Sequence, residues 1–155
     1  MMAHPGTVEG EFGADHAALR LILIEVVEAL RAEDRVGAAR RYQAFEGGLR
    51  SHLLAEEQTL FADFEQHTGL REAGPTVMLR LSHRHVEQRL AKIAQAFAED
   101  CGVEMLTVQI EQLRALLADQ SVREEAILYP SCDRLLSAPE VKRAVSALRD
   151  KRGKP

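Results

Sequence analysis

Apolar residues recur along this chain at the three- and four-residue steps of a helix, in four long segments separated by Gly and Pro. The first is predicted from about Phe12 to Glu33 and the second from Gly37 to His67. The cluster from Thr68-Gly69 to Gly74-Pro75 breaks the pattern, and a third segment follows from about Thr76 to Asp100. Cys101-Gly102 marks a turn. The fourth segment runs from about Val103 to Tyr129, where Pro130 is expected to end it. Pro139 opens a short amphipathic helix at about residues 139–149, and residues 151–155 read as a frayed end. Short connections between long helices favour antiparallel neighbours. The predicted fold is therefore all-α: one domain over residues 1–155, an up-down-up-down antiparallel four-helix bundle at about residues 12–130, and a short C-terminal helix.

Unrolling each segment at about 100° per residue shows which side faces the core. The stripes are Phe12, Leu19, Leu23, Val26 and Leu30; Tyr42, Phe45, Leu49, Leu60 and Phe64; Leu79, Val86, Leu90, Ile93 and Phe97; and Leu106, Leu113, Leu117 and Ile127. Each is interrupted by polar residues near one level: His16, then His52 and Glu56, then His83, then Gln120 and Glu124. A buried carboxylate costs several kcal/mol unless it is paired or bound to a metal. Two carboxylates facing one core with histidines beside them therefore point to a metal site. By the same phase His85 faces water, and Glu57 and Glu125 fall at the rim. Glu87, one turn past His83, lies at the stripe's edge. Tyr129 reads as a core aromatic before Pro130, and His4 and His67 read as surface residues.

The polar layer is written twice. His52-Leu-Leu-Ala-Glu56-Glu57 leads into Leu60-Phe61, and Gln120-Ser-Val-Arg-Glu124-Glu125 leads into Leu128-Tyr129-Pro130. Positions i and i+4 share a helix face, so each copy aims two polar side chains into one space. His16 precedes His52 by 36 residues and His83 precedes Gln120 by 37. The chain is thus a duplicated helical hairpin whose two halves meet at one centre.

Composition narrows the class of protein. Of 155 residues, 46% are hydrophobic and 28% charged, there is no Trp, and the net charge of −4 is spread along the chain. No basic patch with interleaved aromatics favours nucleic acid. The longest apolar run is too short to span a bilayer, and the start lacks the signature of a signal peptide. Two widely spaced cysteines suit a reducing compartment, so a cytoplasmic protein is expected. Outward Leu21, Ile24 and Met78 are compatible with a monomer or a homodimer.

From about Phe12 to Pro130 this pattern resembles the hemerythrin-like (HHE cation-binding) domain family. That family uses twice a His on one helix, then His-x-x-x-Glu and a Leu-aromatic step on the next. The resemblance implies a four-helix bundle holding a non-haem di-iron centre bridged by the two Glu residues. Carried over, it assigns His16, His52, Glu56, His83 and Glu124 as metal ligands. Gln120 departs from the pattern, standing where the family has its fourth repeat His. Its neutral amide is a poor ligand for iron beside imidazole. Glu87 is the candidate replacement, since some members carry a ligand one turn after the third-helix His. Otherwise the second metal keeps an open position.

Imidazole and carboxylate suit iron, with Mn and Zn as alternative occupants. Asp15 and Ser82, each preceding a candidate His, are the residues expected to orient His16 and His83. Three functions follow. The first is binding of O2, NO or a related small ligand for storage, sensing or iron handling. The second is chemistry on peroxide or nitric oxide, or iron donation for iron–sulfur repair. The third is a bundle that has lost its metal at Gln120 and serves as an interaction module.

Overall fold

The computed structural model describes residues 4–152; the frayed end expected at residues 151–155 lies outside these beyond Arg152. All regular structure among the described residues is helical. Helix α1 is Val8–Arg31. Helix α2 covers residues 35–68, α-helical over Arg35–Ala55 and Ala62–Thr68 with a π turn at Glu56–Phe61 between them. Helix α3 is Pro75–Ala98. Helix α4 covers residues 103–135, with a π turn at Glu124–Leu128 between Val103–Arg123 and Tyr129–Leu135. Helix α5 is Ala138–Arg152. None of these helices is long and apolar enough to cross a membrane.

Helix α1 begins four residues earlier than its apolar stripe. Thr7 caps it by accepting from the Gly10 amide, and the Asp133 carboxylate accepts from the amides of Val8 and Glu9. The negative charge of Asp133 also suits a helix N-terminus. Gly10 is required here, because a Cβ would stand 2.2 Å from the His4 carbonyl oxygen. Three residues, 32–34, turn α1 into α2. Glu33 there has φ 59°, and Asp34 caps α2 through the Gly37 amide. The turn after α3 repeats the device with Asp100 at φ 58°. The Arg35 guanidinium joins the two turns by donating to the carbonyls of Phe97 and Cys101 and pairing with Asp100.

Helix α4 does not end at Pro130 as expected; it continues to Leu135. Proline fails inside an α-helix because it lacks an N–H and its ring meets the carbonyl four residues back. The π turn just before Pro130 breaks that four-residue spacing, so the ring fits and the helix resumes. The turn also shifts the phase of the stripe. Leu128 becomes fully buried, whereas Ile127, expected inside, is 54% exposed.

Two apolar clusters form the core. One contains Leu19, Leu23, Tyr42, Phe45, Leu90 and Leu113. The other contains Phe12, Leu60, Phe61, Leu79, Leu128 and Tyr129, and α5 closes over it with Ala144 and Leu148. Along each long helix the interrupting polar residues fall between these clusters. His16 lies between Phe12 and Leu19, and His83 between Leu79 and Val86.

Candidate metal centre

Each long helix brings its polar residues to the same level from its own apolar stripe. His16 comes from α1, His52 and Glu56 from α2, His83 from α3, and Gln120 and Glu124 from α4. All six are buried. His16, His52, Glu56 and Glu124 offer ligand atoms that lie within 4.8 Å of one another. His16 Nε2 is 3.4 Å from Glu124 Oε1, and His52 Nε2 is 3.4 Å from Glu56 Oε1. His83 joins from the other side, its Nε2 3.4 Å from Glu56 Oε1 and 3.9 Å from Glu124 Oε2.

Glu56 Oε1, Glu124 Oε2 and His83 Nε2 are buried and have no hydrogen-bond partner among the described residues. Orphaned polar atoms of this kind are rare, and three aimed at one another call for something between them. Two carboxylates and imidazole nitrogens, facing one another at 3.4–3.9 Å, fit a cation with N/O preferences.

The electrostatics give the same account. Burial disfavours a charged His52, but Glu56 and Asp15 outweigh it and raise the imidazole to about 10. His83, despite its burial, is raised to about 11 by Glu124, Glu56 and Glu57. Burial pushes Glu56 up, yet the facing imidazoles hold it well below the usual carboxylate range. Glu124 is displaced upward, by burial and then by the negative charge of Glu56. Protons thus do in the metal-free protein what a bound cation would do.

The outer partners cross between helices. Asp15 accepts from His52 Nδ1 at 2.7 Å, not from its neighbour His16. Ser82 donates to the Gln120 amide oxygen at 2.7 Å, not to its neighbour His83. The imidazole of His83 is instead held at Nδ1 by rim residue Glu57, at 3.0 Å, and Glu125 Oε1 lies 3.7 Å from His16 Nδ1. These pairs are related by the repeat. Consecutive residues on a helix point about 100° apart, whereas the partner across the interface faces the ring edge.

Two candidate ligands are placed differently from the sequence expectation. Gln120 lines the cluster, but its amide oxygen is taken by Ser82 and its amide N–H faces Glu124 Oε1 at 3.4 Å. It holds a carboxylate and does not present its oxygen to the centre. Glu87 is more than half exposed and lies 3.9 Å from Arg50, so it does not reach the cluster. His85 is exposed, as its phase indicates.

Tyr129, expected to be only a core aromatic, stands in the cluster. Its hydroxyl donates to Glu56 Oε2 at 2.7 Å and lies 3.1 Å from His16 Nε2 and 3.3 Å from His52 Nε2. At α-helical phase it would sit about 140° from Glu124 and point away. A π turn closes five residues apart and brings it round to the same face. Phe61 occupies the equivalent place in the first copy, its ring 5.1 Å from that of His83. The signal was in the sequence, since both copies carry an aromatic five residues after the inward Glu.

A cavity of about 330 Å³ reaches the cluster at His16 and Gln120. Leu19, Leu23, Phe45, Leu49 and Leu117 give it an apolar wall, and Arg20, Glu111 and Arg114 stand at its outer end.

A family model described as Hemerythrin HHE cation binding domain matches residues 10–132, which contain every residue of the cluster. No curated protein and no solved structure matches the chain.

Proposed function

The chain belongs to the hemerythrin HHE cation-binding family, and from that premise we propose that it is a non-haem iron protein that binds O2 or a related small ligand at a dinuclear centre. The observation that carries this is the convergence of Glu56 Oε1, Glu124 Oε2 and His83 Nε2, all buried and unpartnered, opposite His16 and His52. In this proposal His16 and His52 would hold one metal and His83 the other, with the Glu56 and Glu124 carboxylates standing between these imidazoles. Gln120 steadies Glu124 and leaves the His83 side one ligand short.

Bound iron would supply the open position where a diatomic or peroxide attaches. The chain's own residues do the rest. Asp15 and Glu57 fix the rings of His52 and His83 through Nδ1, leaving each Nε2 free to face the centre. The two apolar clusters keep bulk water away. The cavity offers a neutral molecule an apolar path that ends beside His16 and Gln120.

The up-down-up-down order of the long helices is part of the same proposal, supported by the tight turns at residues 32–34 and 99–102. Two cysteines without a disulfide support a reducing, cytoplasmic setting. The test is optical. Protein loaded anaerobically with Fe(II) is expected to change its near-ultraviolet and visible spectrum on adding O2, NO or peroxide. The His52→Ala/Glu56→Ala variant should bind no iron and keep its helix content. Unchanged iron stoichiometry in that variant would overturn the proposal.

A further inference from the structure

The least expected group at the centre is a hydroxyl. Tyr129 Oη stands within 3.3 Å of three candidate ligand atoms: Glu56 Oε2, His16 Nε2 and His52 Nε2. The side chain is wholly buried, and the rings of Phe12 and His16 pack against it. A phenol has one hydrogen to donate, and here it goes to Glu56. The two imidazole nitrogens nevertheless also turn toward the same oxygen. That oxygen therefore lies on the perimeter of the half formed by His16 and His52, beside the atoms proposed to hold its cation.

The twin position reads differently. Phe61 stands where the repeat places Tyr129, and it offers His83 only a ring. Gln120 stands where the repeat places His52, and its amide oxygen is turned away to Ser82. One half thus gathers two imidazoles and a phenol oxygen. The other gathers one imidazole.

We propose that Tyr129 is itself a metal ligand, binding through its phenol oxygen the cation held by His16 and His52, so that the centre has two chemically unequal halves. This rests on the iron-binding proposal above. On loading, the cation takes the place of the phenolic hydrogen, which leaves as a proton to solvent, and no electron is transferred. An anionic oxygen ligand favours the higher-charged metal ion. The Tyr129 half would therefore prefer Fe(III), while the His83 half, which has Phe61 in place of a phenol and Gln120 in place of a second imidazole, would retain a divalent ion and the open position.

The experiment uses the full chain. It is loaded with Fe(II) without air and then oxidised with ferricyanide. Iron is counted, and the visible absorption and resonance Raman spectra are recorded for wild type and Tyr129→Phe. The wild type is expected to show a phenolate-to-Fe(III) charge-transfer band with enhanced tyrosinate ring vibrations. Tyr129→Phe should lose both. The only other tyrosine, Tyr42, donates its hydroxyl to the Leu90 carbonyl within the apolar cluster, so it supplies no competing signal. Iron bound without the band, or a band that survives in Tyr129→Phe, overturns this inference alone. Absence of iron overturns the proposed function and this inference with it.

Discussion

Replacing Glu56 by Gln isolates the charge at the centre while keeping its shape. Glu56 is wholly buried, with one oxygen accepting from Tyr129 and the other 3.4 Å from both His52 Nε2 and His83 Nε2. An amide retains an oxygen for the Tyr129 hydroxyl, so the bundle should still fold. What is lost is one negative charge between the two halves. At an effective dielectric of about 20, a unit charge pair at ~4 Å is worth about 4 kcal/mol, or roughly a thousand-fold in affinity.

Thermal melts read this directly. At a free Fe(II) concentration about 1,000 times the wild-type Kd, binding stabilises the fold by about 4 kcal/mol. For a chain of this size that raises Tm by roughly 8–16 °C, at about 2–4 °C per kcal/mol. With Kd raised about a thousand-fold, Glu56→Gln at the same concentration gains only about 0.4 kcal/mol, a rise of roughly 1–2 °C. Equal metal-induced shifts in the two proteins would refute the claim that Glu56 holds the cation.

Three further outcomes are expected. Gln120→His should raise the occupancy of the second metal, because it restores an imidazole on the His83 side; unchanged metal content by elemental analysis would remove Gln120 from the centre. Loading should release at least two protons at pH 7, since His52 and His83, raised to about 10 and 11, are charged in the metal-free protein and must be neutral to bind metal. Apparent affinity should then climb with pH near neutrality, with a slope of at least two decades per pH unit; titration in buffers of different ionisation enthalpy checks the proton count. Glu65→Gln should cost about 1 kcal/mol at pH 7, because Glu65 takes two hydrogen bonds from Arg80 at 3.0 and 3.1 Å, at a partly exposed site. Burial pushes the Glu65 carboxyl up, but Arg80 outweighs it and leaves the group below its ordinary value. Its contribution is therefore complete above the unfolded carboxyl pKa of about 4.3 and fades as pH falls through the folded value. Urea melts of both proteins should converge in acid.

Helical periodicity made most of the inner face legible. Of the expected stripe residues, Phe12, Leu19, Tyr42, Phe45, Val86, Leu90 and Leu113 are all buried. The same phase placed His16, His52, Glu56, His83 and Glu124 at one level, because α-helical geometry holds through each of them. It held beyond Glu56, where Leu60 and Phe64 are buried, and failed beyond Glu124, where the backbone widens to a π turn. Ile127 was assigned inside, Tyr129 was given no part in the cluster, and Pro130 was given the role of a stop. All three follow from treating residues 124–129 as regular α-helix. Glu87 was placed at the stripe's edge, and there a carboxylate goes to water and Arg50 when that contact is within reach. The outer partners were chosen as sequence neighbours, although Asp15 and Ser82 each act across to the next helix. Periodicity along one helix carries no information about which residue of another helix it meets.

The most direct test of the account is a count of metal. The purified chain is reconstituted anaerobically with Fe(II), freed of unbound iron, and analysed for iron by elemental analysis. The account predicts two irons per chain, since Glu56 and Glu124 sit between an imidazole pair and His83. A chain that retains no iron would contradict it, leaving the two buried carboxylates neutralised by protons alone.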